Sequence, residues 1–209
     1  MLSRQNFKGF LAVFITLLII FATIAYLSTA TIPREQFFQF YVLGANGQTK
    51  NYFPDSSGNL PLNTSVRWYL GTINNMLSPQ MVVLKIKLGN LTALSPTDVP
   101  PTPANLPIIA EYKRILIHNE TWTLPVDLKV TEIRNINSSV YLTLQFGNGT
   151  VSVGDVSATN GTFFRIILEL WTLDGRSGDY MFGWRTGDVQ KVAWLKLWFN
   201  VTDTNLTAT

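Results

Sequence analysis

The sequence predicts a mainly β protein: an antiparallel two-sheet sandwich behind a single N-terminal membrane-spanning helix. Three observations predict it. Residues Phe10 to Leu27, FLAVFITLLIIFATIAYL, form an uncharged apolar run without Pro or Gly. Beyond it, apolar and polar residues alternate with period two in segment after segment, the mark of half-buried strands. Turn dipeptides separate those segments at Asn46-Gly47, Ser57-Gly58, Asn148-Gly149, Asn160-Gly161, Asp174-Gly175 and Ser177-Gly178. No stretch after the apolar run sustains the 3.6 period of an amphipathic helix.

The apolar run comes first in the chain. At 1.5 Å per residue its 18 residues cover about 27 Å, enough for a bilayer core, and the run extends to Ile32. Arg4, Lys8 and the terminal amine precede it, while Arg34 and Glu35 nearly cancel after it. The positive-inside bias places residues 1–9 in the cytoplasm, 10–32 in the cytoplasmic membrane and 33–209 outside as one extracytoplasmic domain. Three readings of the run stay open. Its length favours a retained single-pass anchor, since secretory apolar regions usually run about 7–15 residues. Ser28-Thr29-Ala30 also suits a peptidase cutting after Ala30. Lys8-Gly9 before Phe10 resembles the cleavage point of archaeal type IV prepilins. Ala22, Thr23, Ala25, Ser28 and Thr29 offer small residues for helix–helix packing in lipid.

The strands follow in order. Gln36–Leu43 and Thr64–Ile73 read as the first two. In Met81–Leu88 the inner set is Val82, Leu84, Ile86 and Leu88, with Lys85 and Lys87 opposite. Ile108–His118, Trp122–Ile133, Ser139–Phe146, Val151–Val153 and Thr162–Leu173 continue the series. Val189–Val201 closes it, with Ala193, Leu195, Leu197, Phe199 and Val201 on one face and Trp194, Lys196, Trp198 and Asn200 on the other. Ser95 to Pro107 holds five of the ten prolines. It cannot be a central strand and reads as a polyproline-like excursion between strands. Eight or nine strands over about 170 residues make one sandwich.

Composition excludes several function classes. The 209 residues include no Cys and one His, which removes disulfide scaffolds, thiolate metal sites and Cys nucleophiles. Charged residues are 14%, against roughly 25% in an average soluble domain. Two of the 16 basic residues precede the span, leaving a difference of only +1 over the remainder, with no Lys/Arg run. Nucleic acid is therefore not an expected partner. Few carboxylates are present to titrate, so the exterior should change little as pH falls.

Asparagine supports the exterior assignment. N-x-S/T sequons start at Asn63, Asn90, Asn119, Asn137, Asn148, Asn160, Asn200 and Asn205, all beyond the span. With 16 Asn and about 17% Ser plus Thr, about three sequons are expected by chance. The excess reads as a surface carrying N-glycans, which also solubilise a domain short of charge. The alternative is Asn/Thr-rich loops without glycan.

No catalytic set emerges. His118 stands at a strand end in Ile117-His118-Asn119-Glu120. A triad needs a Ser, a His and an acid brought together, and nothing in the sequence marks such a set. No phosphate loop, dinucleotide fingerprint or zinc-protease helix is present. Asp174, Asp179 and Asp188 cluster in LDGRSGDYMFGWRTGD, but their spacing misses the twelve-residue calcium loop. Arg176 and Arg185 among them would repel a cation, so the stretch reads as a solvated hairpin with Asp–Arg pairs. Catalytic, cofactor and metal residues are thus expected to be none.

The aromatic excess points instead to contact. Of Trp68, Trp122, Trp171, Trp184, Trp194 and Trp198, most read as packing. Trp194 and Trp198 share the nominal outer face of the last strand. They either pack on a neighbouring subunit, stack on sugars, or lie under a loop or second sheet. Phe37, Phe38 and Tyr41, in REQFFQFY, either add to another subunit's sheet or begin the chain's own.

The segment Phe37 to Pro54, FFQFYVLGANGQTKNYFP, resembles the opening of an archaeal family of uncharacterised membrane-anchored surface proteins. Tyr41, Leu43, Gly44 and Gly47 match its aromatic and glycine pattern, while Phe53 intervenes before Pro54. His118, Trp122 and Pro125 are similar to its His-x-x-x-Trp segment, and LWFNVT to its final strand. The resemblance covers about half of the exterior. It implies a β domain at the archaeal surface and assigns no reaction. The family often carries more spans than the one seen here. Together these readings lead us to expect a non-catalytic, glycosylated accessory or structural subunit of a larger membrane or envelope complex. The alternatives are a secreted or pilin-like filament subunit and a carbohydrate- or solute-binding surface domain.

Overall fold

The structure is a computed structural model. It describes residues 4–29, 35–54, 57–136, 139–147, 149–156 and 164–202. It divides into two units, residues up to Glu35 and residues from Gln36.

The first unit is one helix, α1 (Arg4–Thr29). Residues Gly9–Ser28 have a mean hydropathy of 2.7, and the helix is long and apolar enough to cross a membrane. Large apolar side chains cover it all round, from Phe10 and Phe14 to Ile19, Phe21 and Ile24, as lipid requires. Three of its hydroxyls bond back within the helix. Thr16 donates to Ala12 O at 2.9 Å, Thr23 to Ile19 O at 2.8 Å and Ser28 to Ile24 O at 2.6 Å. Among the described residues the helix already includes Arg4, inside the expected cytoplasmic tail. The expected end at residue 32 lies outside the described residues.

The second unit is β throughout. Its strands are β1 (Phe38–Leu43), β2 (Asn59–Pro61), β3 (Ser65–Asn74), β4 (Gln80–Gly89), β5 (Thr97–Asp98), β6 (Pro101–Thr102), β7 (Ile108–Leu116) and β8 (Thr121–Ile136). They continue with β9 (Ser139–Phe146), β10 (Gly149–Val156), β11 (Phe164–Leu173), β12 (Tyr180–Phe182), β13 (Trp184–Thr186), β14 (Val189–Lys191) and β15 (Trp194–Thr202). One sheet runs β1-β3-β8-β9-β10; the second runs β2-β15-β11-β4-β7, with β12 also on β11. Pairing is antiparallel except β2 beside β15.

The inner faces interdigitate as one core. Val66, Trp68 and Leu70, with Leu128, Leu142 and Leu144, come from the first sheet. They meet Leu84, Ile86, Ile166, Leu168 and Phe199 of the second. Trp68 is fully buried, meets Phe53 edge-on at 5.7 Å and donates Nε1–H to Tyr52 O at 2.6 Å. That bond satisfies the one polar atom an indole brings into a core. Pro125 sits in long β8 without penalty. It pairs with Tyr69 of β3 on one side, and β9 joins the other side only from Leu128 onward. At that height β8 is an edge, where a missing N–H costs nothing.

Two expectations need correction. Val189–Val201 is not one strand: β14 turns back onto β13, and Val192-Ala193 separates it from β15. Ser95–Pro107 is not a polyproline excursion. It contains the β5–β6 hairpin, with Val99-Pro100 in cis, and folds onto the second sheet as a strap.

On the first sheet, Arg67 and Asp127 face each other across β3 and β8 in a bidentate pair, with both hydrogen bonds 2.8 Å. The hydrogen bond from Arg67 holds the Asp127 carboxyl below its ordinary value of 3.8. A depressed carboxylate contributes stability above its unfolded value and loses it as pH falls through the folded one. Both groups are largely exposed, so the contribution is small. Asp127→Asn should lower the urea midpoint slightly at about pH 7 and leave it unchanged at about pH 2. Urea titrations at both pH values check this.

Candidate functional site

The outer face of the second sheet is where chemistry-bearing side chains gather. Alternation along each strand presents Val83, Lys85, Lys87 and Gly89 from β4, and Arg165, Ile167, Glu169 and Trp171 from β11. From β15 it presents Trp194, Lys196, Trp198 and Asn200. Cross-strand register aligns them in rows. Arg165 lies between Gly89 and Trp198, Ile167 between Lys87 and Lys196, and Glu169 between Lys85 and Trp194.

The strap covers the middle of this face. Beneath it Lys87 and Glu169 form an ion pair of 2.8 Å, their side chains only 5% and 0% exposed. The pair also fastens the strap. Lys87 Nζ donates to Ala104 O at 2.6 Å, and Ala104 N–H donates to Glu169 Oε1 at 2.7 Å. Trp171 Nε1–H donates to Glu169 Oε2 at 2.9 Å. The carboxylate is thus fully engaged, as a buried charge must be. Lys85 Nζ stands over the Trp171 ring, 3.6 Å from its centroid. Burial, more than any neighbouring charge, pushes the Lys85 ammonium below its ordinary value.

One edge of the face is open. Trp198 is 37% exposed. The guanidinium of buried Arg165 covers one side of its ring at 5.1 Å and donates from Nη1 to Ser95 Oγ at 2.8 Å. Burial lowers the Arg165 pKa. Two grooves flank Trp198 and share Ser57 and Gly58. One, about 450 Å³, is also lined by Lys50, Tyr52 and Lys196. The other, about 350 Å³, is lined by Leu91, Phe199 and Asn200.

The expected contact residues separate into two groups. Trp194 and Trp198 both lie on the outer face. Trp194 is partly covered by the strap and donates to Asp98 Oδ1 at 2.9 Å. β1 pairs along β3 within its own domain. Phe38 is a correction: it is buried in the core and meets Trp184 edge-on at 5.4 Å, because strand alternation turns it inward. Phe37 packs partly buried against that core. Tyr41 lies opposite Gly71, where a Cβ would collide with its ring.

The sequons are equally unequal. Asn63 and Asn119 are exposed in turns, both with φ of 63°. Asn90 departs from the expected exposed acceptor, with 6% exposure. Its Oδ1 accepts from Thr92 N at 3.1 Å, Thr92 Oγ1 at 2.9 Å and Ala93 N at 3.0 Å, the work of a turn cap. Asn200 is half-buried beside Asn59. Asn137, Asn148, Asn160 and Asn205 lie outside the described residues. His118 Nδ1 accepts from Leu77 N at 3.3 Å. Asp188 pairs with Arg176 at 3.0 Å and Asp174 with Arg185 at 3.6 Å, as a hairpin with Asp–Arg pairs implies. Among the described residues no group of three His or carboxylate side chains is placed to hold a metal.

Sequence reasoning missed Glu169, Arg165 and the burial of Lys87. The signal was the lone charges of FFRIILELW, an otherwise continuous apolar run of the kind a strand buried on both faces shows.

No protein-family model matches the chain, and no curated protein matches it. Among solved structures there is a likeness to a beta-glucosidase from Listeria innocua in complex with gluconolactone. The two are 12% identical with a TM-score of 0.34, covering 78% of this chain and 16% of that one. So slight a likeness says nothing of what this chain does.

Proposed function

We propose that the chain is a non-catalytic, single-pass, N-glycosylated surface protein serving as an accessory or structural subunit of a larger membrane or cell-envelope complex. The observation that carries this reading is α1, apolar all round over Gly9–Ser28 and joined to a β unit. Its orientation, with residues 1–9 inside and the β domain outside, rests on Arg4 and Lys8 before the span. The buried charges of the second sheet support a structural role, since they are spent on fastening the strap. The resemblance of Phe37–Pro54 supports an archaeal envelope. Other membrane or envelope subunits, the lipid bilayer through residues 10–32 and N-glycans are the partners of this reading.

The test uses native membranes, solubilised gently and separated under native conditions, with N-terminal sequencing of the band that holds this chain. The expected result is Met1 retained in a discrete complex with other subunits. A mature end at Phe10 or Thr31 in a large homopolymer would overturn the reading in favour of a filament. Leu18→Arg with Ile19→Arg should also release the chain from membranes on alkaline extraction. Each Arg costs about 2.5–3.5 kcal/mol at the centre of a spanning helix.

A further inference from the structure

We propose that the N-linked glycan on Asn200 seats its first sugar ring on the indole of Trp198, in the groove walled by Leu91. The proposal rests on the glycoprotein reading above and adds to it a specific occupant for one groove.

The placement comes from strand geometry. In β15 the side chains of Trp198 and Asn200 are two residues apart, so they leave the same face of the sheet about 7 Å from each other. That is the reach of one pyranose ring joined to the asparagine amide. Trp198 and Asn200 both line the groove of about 350 Å³, with exposed Leu91, Ser57 and Gly58 completing it. A cavity of this size holds a small polar molecule with an apolar side. A glycan attached at Asn200 therefore starts inside the groove.

The chemistry of the walls suits a sugar. A pyranose has a face of C–H bonds that is weakly positive, and the face of an indole is negative. Arg165 is 3% exposed and covers one side of the Trp198 ring. Trp198, 37% exposed, is itself a wall of the groove. Leu91, 63% exposed, offers a second apolar wall. The linkage also leaves a donor for a hydrogen bond already present. Asn200 Nδ2 donates to Asn59 Oδ1 at 3.4 Å. A glycosylated amide retains one N–H, the number this contact needs. No other described sequon combines these features: Asn63 and Asn119 stand in turns, and the Asn90 side chain is buried.

The experiment compares four forms of the full chain in detergent, made in a host that glycosylates it. They are the parent, Thr202→Ala (which removes the sequon but keeps Asn200), Trp198→Ala and the double variant. Glycopeptide mass spectrometry reads occupancy at each sequon, and thermal unfolding reads the midpoint. Asn200 should be occupied in the parent. Loss of its glycan should lower Tm by about 2–4 °C when Trp198 is present, and by nothing measurable in the Trp198→Ala background. Trp198→Leu repeats the comparison while keeping the groove apolar, should the alanine variant fail to fold. Equal shifts in both backgrounds would overturn the proposal and leave Trp198 to a protein partner. A bare Asn200 beside occupied Asn63 and Asn119 would overturn it while sparing the glycoprotein reading. Bare asparagines at every sequon would remove both.

Discussion

Glu169→Ala should destabilise the β domain by about 3–5 kcal/mol, the cost of leaving a buried charge without its partner. The charge left behind is Lys87, whose side chain is only 5% exposed. The loss reaches beyond the pair. Ala104 N–H and Trp171 Nε1–H lose their shared acceptor, so the strap loses one of the hydrogen bonds that fasten it to the sheet. Lys87→Ala should cost a similar amount, because it strands the carboxylate. The pair need not be net stabilising against an apolar alternative. Lys87→Met combined with Glu169→Leu should recover most of the loss, since apolar replacements of similar volume are often neutral or better. Chemical denaturation of the three variants checks this. Equal instability of the double variant would show that the hydrogen bonds to Ala104, not the charges, hold the strap.

Gly183→Ala should cost about 2–5 kcal/mol, from a left-handed backbone and an overfilled contact together. Gly183 has φ of 77° and joins β12 to β13. A Cβ there would collide with the backbone oxygen of Lys191 and lie 2.7 Å from Val192 Cα. Neither is the end of a flexible side chain, so the hairpin itself must move. The residue is also held from both sides. Its N–H donates to Leu170 O at 2.8 Å, and its carbonyl accepts from Thr172 Oγ1 at 2.7 Å. Gly175→Ala is the control. It has open space around it and should stay within about 0.5 kcal/mol of the parent in thermal unfolding.

Legibility differed from residue to residue for identifiable reasons. The long strands were readable because their core-facing positions are apolar at every second residue. Ser139–Phe146 matched β9 residue for residue, and Met81–Leu88 lies within β4. The three-residue strands β12, β13 and β14 were not readable, since three residues carry too little alternation to distinguish a strand from a turn. Gly183 was hidden likewise. Its requirement comes from the carbonyl of Lys191, eight positions on, and not from any turn dipeptide. The candidate site was half legible. Trp194 and Trp198 were placed on the correct face, yet Lys87 on the same side of the sheet reads from alternation as solvated and is buried.

The sequence by itself determined the apolar helix, the β class, the facing of β4 and β15 and the positions of the sequons. These are properties of local period and composition, which one strand or one helix expresses alone. Only the tertiary structure decided what covers each face. The strap turns the middle of an outer face into an interior, pairing Lys87 with Glu169 across 82 residues of chain. Phe38 faces inward by alternation and is covered there by Trp184 and the core, and Asn90 is buried at the turn it caps. Burial is set by what arrives from elsewhere in the chain, and period two records only which side a residue faces.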